Sequence, residues 1–249
     1  MRTFHFLDAV CLFVVAAFIL LETGLTLGNR WDSVASDEGL KLSEPDQLIV
    51  EYPGQNYGAR SVSAEQPISK NKLGFFYYEV EILAHKGNSI AIGLGPTKPI
   101  PLQEEIGRVK GYAYNSGGIV QGHNVAGSSD FKGRPYIYEK PRFGVREVVG
   151  DDGVRNVVRD VVGCGVNLAK RQIFYTLNGA LLETLDMNAA DLDADLFPSV
   201  SMDYPETLDM RAADLNADLF PTVSMDYPGN KIKANFGSEQ FKFDIAKAF

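Results

Sequence analysis

The residues best equipped for chemistry are an aspartate run, a cysteine with two possible histidine partners, and a short glycine stretch. Asp191, Asp193 and Asp195 alternate with Leu192 and Ala194, a spacing that invites calcium. An EF-hand loop counted from Asp191 needs Gly at its sixth position and a bidentate Glu at its twelfth, where this chain has Leu196 and Met202. Downstream, the matching positions are Leu219 and Met225, so an EF-hand is excluded twice. A looser acidic calcium site and a solvated acidic loop both stay open. A nucleophilic pair would need Cys164 with His85 or His123. Cys164 lies between Gly163 and Gly165 in an apolar run, which suits a small packed side chain better than an activated thiolate. These residues form no zinc pattern. Gly93-Leu94-Gly95 lacks the G-x-G-x-x-G spacing and following helix of a nucleotide site. With no acid/base or nucleophile constellation left, the chain is expected to be no enzyme and to carry no cofactor and no metal.

The elements that must position these residues belong to a globular chain. Its 249 residues are 45% hydrophobic and 11% aromatic, too apolar for disorder. A net charge of -8 argues against a nucleic-acid partner held by a basic field. Lys132, Arg134, Lys140 and Arg142, interleaved with aromatics, read as an ordinary charged loop surface.

Residues 1–28 read as a secretory signal peptide. Arg2 supplies a positive start, residues 9–21 are apolar without a break, and Thr26 and Gly28 suit a cleavage site. A membrane span needs about 20 apolar residues, and Glu22 ends this run earlier. The expected product is secreted, with no membrane partner once the signal is removed. Cys11 leaves with the signal and Cys164 remains alone, so no internal disulfide is expected. No N-x-Ser/Thr sequon follows Asn29. Both features suit a protein that ends in a reducing compartment, such as the cytosol of another cell.

After an irregular lead-in at 30–45, which contains Trp31, short strand-like runs occur at 48–52, 75–83, 89–93, 111–114, 157–166, 172–177 and 232–236. Each is bounded by Gly, Pro, Asn or Asp, and the set predicts an all-β fold, a two-sheet antiparallel β-sandwich. At 75–83, alternation puts Phe76, Tyr78, Val80 and Ile82 on one face. Phe75, Tyr77, Glu79 and Glu81 fall on the other, with the glutamates marking the side nearer solvent. Asn178-Gly179 between two apolar runs predicts a type I′ hairpin turn.

Residues 183–205 and 206–228 are tandem copies that differ only at Asn188/Arg211, Asp193/Asn216 and Ser199/Thr222. Two copies are too few for a solenoid, so the duplication reads as an expansion inside one sandwich, looped out or forming an extra edge strand. Only one copy of Leu-Phe-Pro-Ser/Thr-Val-Ser-Met fits a given strand slot, and the segment most able to loop out is roughly 188–211. A shorter echo relates residues 144–149 to 153–158 and suggests a lengthened hairpin or an ambiguous register. The copies hold eleven acids against Arg211, a net charge of -10. Outside them and the signal, the chain is mildly basic at +3, compatible with an acidic patch on a partner protein.

The ordered motifs resemble one family. Ser61-Val62-Ser63-Ala64-Glu65-Gln66-Pro67-Ile68, GFFYYEVEIL at 74–83, Ile92-Gly93-Leu94 and Gly111-Tyr112-Ala113-Tyr114 resemble the first half of a SPRY domain. DVVGCGVN at 160–167, FYTLNG at 174–179, Leu219-Phe220-Pro221-Thr222-Val223 and Ala234-Asn235-Phe236-Gly237 resemble its second half in the same order. The resemblance spans about 31–249, with 29–249 taken as one domain, and is nearest to the Ran-binding-protein-M type. A signal peptide followed directly by one such domain resembles the secreted SPRY effectors of plant-parasitic cyst nematodes. The resemblance implies a sandwich whose loops form a protein-binding rim without catalysis. For the effector group it implies action in the cytoplasm or nucleus of a host cell, on host proteins such as an immune receptor or a ubiquitin-pathway component, modulating defence. Carried over motif by motif, the rim comprises Ser63, Glu65, Gln66, Tyr114, Asn115, Asp226, Tyr227 and Pro228. Many relatives have Arg where this chain has Ser63, so a preference for acidic ligands through that position is not implied.

Tyrosine supplies amphipathic contact area at low entropic cost, which suits a rim. Tyr114, in a Tyr-x-Tyr strand, also fits a packed side chain with its hydroxyl bonded at the edge. The reading is therefore a monomeric, secreted, non-enzymatic binding module acting as a parasite effector. Its alternative is an extracellular lectin-like or calcium-dependent β-sandwich.

Overall fold

The computed structural model describes residues 28–68, 74–87, 90–95, 105–107, 111–122, 136–137, 140–151, 153–170, 172–182 and 219–249. The first strands are β1 (Trp31–Ser36), β2 (Lys41–Leu42), β3 (Ile49–Glu51), β4 (Arg60–Ala64), β5 (Phe75–Ala84), β6 (Ile90–Gly95), β7 (Tyr112–Asn115) and β8 (Ile119–Gly122). There follow β9 (Tyr136–Ile137), β10 (Val145–Val149), β11 (Arg155–Arg159), β12 (Val161–Asn167), β13 (Gln172–Leu177), β14 (Ala180–Leu181), β15 (Phe220–Met225) and β16 (Lys231–Asn235). One helical turn, α1 (Ile245–Ala248), lies near the C-terminus.

Two seven-stranded sheets, ordered β1-β4-β15-β6-β7-β8-β9 and β14-β13-β12-β5-β16-β3-β2, make the sandwich, and β10-β11 is a separate hairpin. Every pairing among the described strands is antiparallel. The core holds the inward set expected on β5, Phe76, Tyr78, Val80 and Ile82, all buried. Val223 and Ile92 join it from the facing sheet.

The lead-in proves to be structured. Trp31 is fully buried on β1, its indole Nε1 donates to the Leu48 carbonyl at 3.1 Å, and its ring meets Phe236 edge-on at 5.2 Å. The outer face of β5 also departs from expectation, because Tyr77 and Glu79 are buried there. The C-terminal segment folds over them. The Glu79 carboxylate accepts from the backbone N–H of Lys242 and Phe243 and from the Tyr77 hydroxyl, each at 3.0 Å. Tyr77 stacks on Phe174 with centroids 5.8 Å apart. Gly163 and Gly165 leave room for this layer: a Cβ at either would strike the Tyr77 hydroxyl or the Phe174 ring.

Asn178 and Gly179 have φ of 52° and 82°, the positive pair that a type I′ turn requires between β13 and β14. The expected single strand at 157–166 is broken at Asp160, which is fully buried. Its carboxylate accepts from Gly144 N at 2.9 Å, Arg146 Nη2 at 2.7 Å and Asn178 Nδ2 at 2.9 Å. Before that break, the 144–149 and 153–158 echo becomes the β10-β11 hairpin, with Val145 opposite Arg159 and Val149 opposite Arg155. The slot between β4 and β6 is filled by β15, from the second tandem copy. The first copy at 183–205, the Asp191–Asp195 run, residues 1–27, His123, Lys132 and Arg134 lie outside the described residues.

Candidate functional site

Three of the residues expected on the rim are interior. Tyr114 on β7 is fully buried, packed edge-on to Phe143 at 4.9 Å, and its hydroxyl donates to the Pro141 carbonyl. Burial, reinforced by the charge of Asp160, pushes its phenol up. Asn115 is buried, and its Oδ1 accepts from Gly117 N and Ile119 N at 3.1 Å, building the β7-β8 turn. Ser63 is buried on β4, with its Oγ 3.2 Å from Thr222 Oγ1. The assignment of these three to a contact rim is corrected: each side chain is spent on holding the fold.

The remaining five divide between the two ends of β15. Antiparallel pairing puts Met225 beside Arg60 and Ile90, and Phe220 beside Gly95. At the Phe220 end, Gln66 is exposed and tied to Asn29 through its backbone, while Glu65 pairs with Arg30 at 2.8 Å. At the Met225 end, Asp226, Tyr227 and Pro228 reach the surface. The eight residues therefore do not form one site.

The Met225 end gains a residue that the sequence reading missed. Tyr57, 69% exposed, lies edge-on to Tyr227, 37% exposed, with centroids 4.7 Å apart. A hydroxyl bond to Tyr57 raises the Tyr227 phenol above its ordinary range. Three loops are laced beneath the pair. Gly58 N donates to the Asp226 carbonyl at 3.1 Å, and the Tyr52 hydroxyl donates to the Asn56 carbonyl at 2.5 Å. Tyr52 N donates to the Asn230 carbonyl at 2.9 Å, and Gly229 N donates to the Tyr52 carbonyl at 2.8 Å. Asn230 is fully buried, and its Oδ1 accepts from Lys86 N at 2.6 Å, tying in the β5-β6 loop. Gly87 passes so close to the Tyr227 ring that a Cβ there would lie 2.9 Å from it. The result is an exposed aromatic pair on a braced loop base, a surface of the kind that interfaces use as anchors.

Cys164 is fully buried and its thiol is pushed up by that burial, the reverse of thiolate activation. His85 is half-buried and its imidazole is held below its ordinary range by burial, with Asp160 opposing. Among the described residues, no group of three or more His, Cys, Asp or Glu could hold a metal.

Residues 75–214 match the family model for the SPRY domain. This chain belongs to the SPRY domain family. It is 29% identical over 226 residues to the Ran-binding proteins 9/10 homolog of Drosophila melanogaster, covering 90% of this chain and 18% of that protein. It is 30% identical over 203 residues to Ran-binding protein 9 of Xenopus tropicalis, covering 80% of this chain and 28% of that protein. The chain thus spans less than a third of the length of these relatives. The SPRY domain of human HERC1 has the same fold, with a TM-score of 0.51 at 15% identity over 84% of this chain and 99% of that one. SPRY domains are protein-interaction modules, which agrees with a site made of braced loops and aromatic side chains.

Proposed function

We propose that this SPRY domain is a secreted, non-enzymatic module that binds host proteins through the Tyr57–Tyr227 surface and acts as a parasite effector. The carrying observation is the pair itself: two exposed aromatic rings in edge contact, with buried Asn230 fixing the loops that present them. The loops are already braced in the folded chain, so a partner meets a preorganised surface and little further loop ordering is needed on association. Secretion is supported by the positive start and the apolar run within 1–28, and action inside a host cell by the absence of sequons after Asn29. The buried, unactivated Cys164 supports a binding role over thiol catalysis.

Affinity capture from host extract tests the reading, with the native chain beside Tyr57→Ala and Tyr227→Ala. Each substitution is expected to weaken the captured partner at least tenfold, as truncating an aromatic anchor does. Retention of every partner at native affinity by both variants would remove the site.

A further inference from the structure

We propose that β15 is exchangeable: the first tandem copy competes with the second for the strand slot between β4 and β6 within the same chain. The slot is read by residues 219–228. Leu219 is buried and its carbonyl accepts from Ile68 N at 2.7 Å. Val223 and Met225 are buried in the core, and Asp226 accepts from Gly58 N. Residues 196–205 repeat these ten positions with a single difference, Ser199 for Thr222. Every contact just named is therefore available to the first copy, including the Pro at the position of Pro221.

The difference at Ser199 is small and its sign is clear. Thr222 is fully buried, with Oγ1 near Ser63 Oγ and 3.0 Å from the Phe220 carbonyl. Serine keeps the hydroxyl and loses one buried methyl, which favours the second copy about fourfold. Loop closure adds to this. With the second copy in place, the connections flanking β15 are 182–219 and 226–230; with the first, they become 182–196 and 203–230. The logarithmic length dependence favours the observed arrangement by about threefold. The combined preference is about tenfold, so the first copy occupies the slot in roughly a tenth of molecules.

The exchange relocates charge. In the observed register the acidic insertion joins the sandwich at Leu219, the Phe220 end of β15. In the other, residues 206–228, with five acids and Arg211, lie between the strand and β16 at the Tyr57 end. That consequence for partner binding rests on the proposed function; the exchange does not.

Disulfide trapping in the full chain reads the exchange without a partner. Ser63 and Thr222 are directly opposite, so S63C/T222C is the reference crosslink and S63C/S199C the test. Both are expected to close as intrachain disulfides in native buffer, the test pair after brief oxidation in about a tenth as many molecules as the reference. Closure of S63C/S199C only after denaturation overturns the proposal, and so does closure only between chains, which would indicate a swapped dimer. Deleting 206–228 supplies a second check: the remaining copy is expected to give cooperative unfolding, and loss of folding there, but not on deleting 183–205, also overturns it.

Discussion

Tyr114 and Tyr227 carry the same chemistry in opposite settings. Tyr114 has its ring against Phe143 and its hydroxyl on Pro141, whereas Tyr227 lies between Tyr57 and Gly87 with part of its ring in solvent. Truncating a buried aromatic removes its transfer energy and leaves a cavity, so Tyr114→Ala is expected to destabilise by about 3 to 5 kcal/mol in urea unfolding. Tyr227→Ala, at a part-exposed position, is expected to cost only about 1 kcal/mol, most of it the edge contact with Tyr57. A loss of partner binding by Tyr114→Ala alone would thus report unfolding, and only Tyr57 and Tyr227 report the surface. Equal, small stability changes for Tyr114 and Tyr227 would contradict the burial of Tyr114.

At the level of elements, the outer layer on β5 and β12 depends on segments far apart in sequence. Phe243 packs on Tyr77 and Phe174, and its backbone N–H is one of the donors that keep the buried Glu79 carboxylate satisfied. Phe243→Ala is expected to cost about 3 kcal/mol and to raise the accessibility of Tyr77, measurable by denaturation and by tyrosine fluorescence quenching. Native stability in that variant would mean the C-terminal segment contributes no packing. The same layer marks what the sequence could and could not disclose. Strict alternation on β5 and the Asn178-Gly179 turn are local signals, and the inward face and positive φ pair follow from them directly. Burial of Glu79 is not local: its backbone donors lie more than 160 residues away, so two glutamates in alternation read as a solvent face. Trp31 is hidden in sequence because β1 lacks hydrophobic alternation and β2 is only two residues long. In sequence Tyr114 fits both rim and core, and the flanking β6 and β8 decide for the core. Tyr57 carried a usable signal, an aromatic among Asn56 and Gly58 in a polar loop, but its significance depends on Tyr227, brought beside it by the β4-β15 pairing.

Over the whole molecule, charge and topology are separable. The two copies hold 11 of the 32 acids against one base, and the rest of the chain beyond 1–28 is mildly basic in net charge, so an acidic partner feels attraction from the sandwich and repulsion from the insertion. Deleting 183–205 removes six acids and no base while leaving β15 and the Tyr57–Tyr227 surface intact in sequence. Shortening the connection before β15 relieves closure entropy by about 0.8 kcal/mol, so stability in urea is expected to hold or rise slightly. A large loss would show that the first copy is built into the core. Binding to a captured acidic partner is expected to tighten at low ionic strength, chiefly through faster association, with the gain fading as salt screens the insertion. A salt-independent gain would instead mean that the first copy blocks the surface sterically. No gain at any salt would contradict the expected repulsion and show that the insertion's charge does not act on the partner.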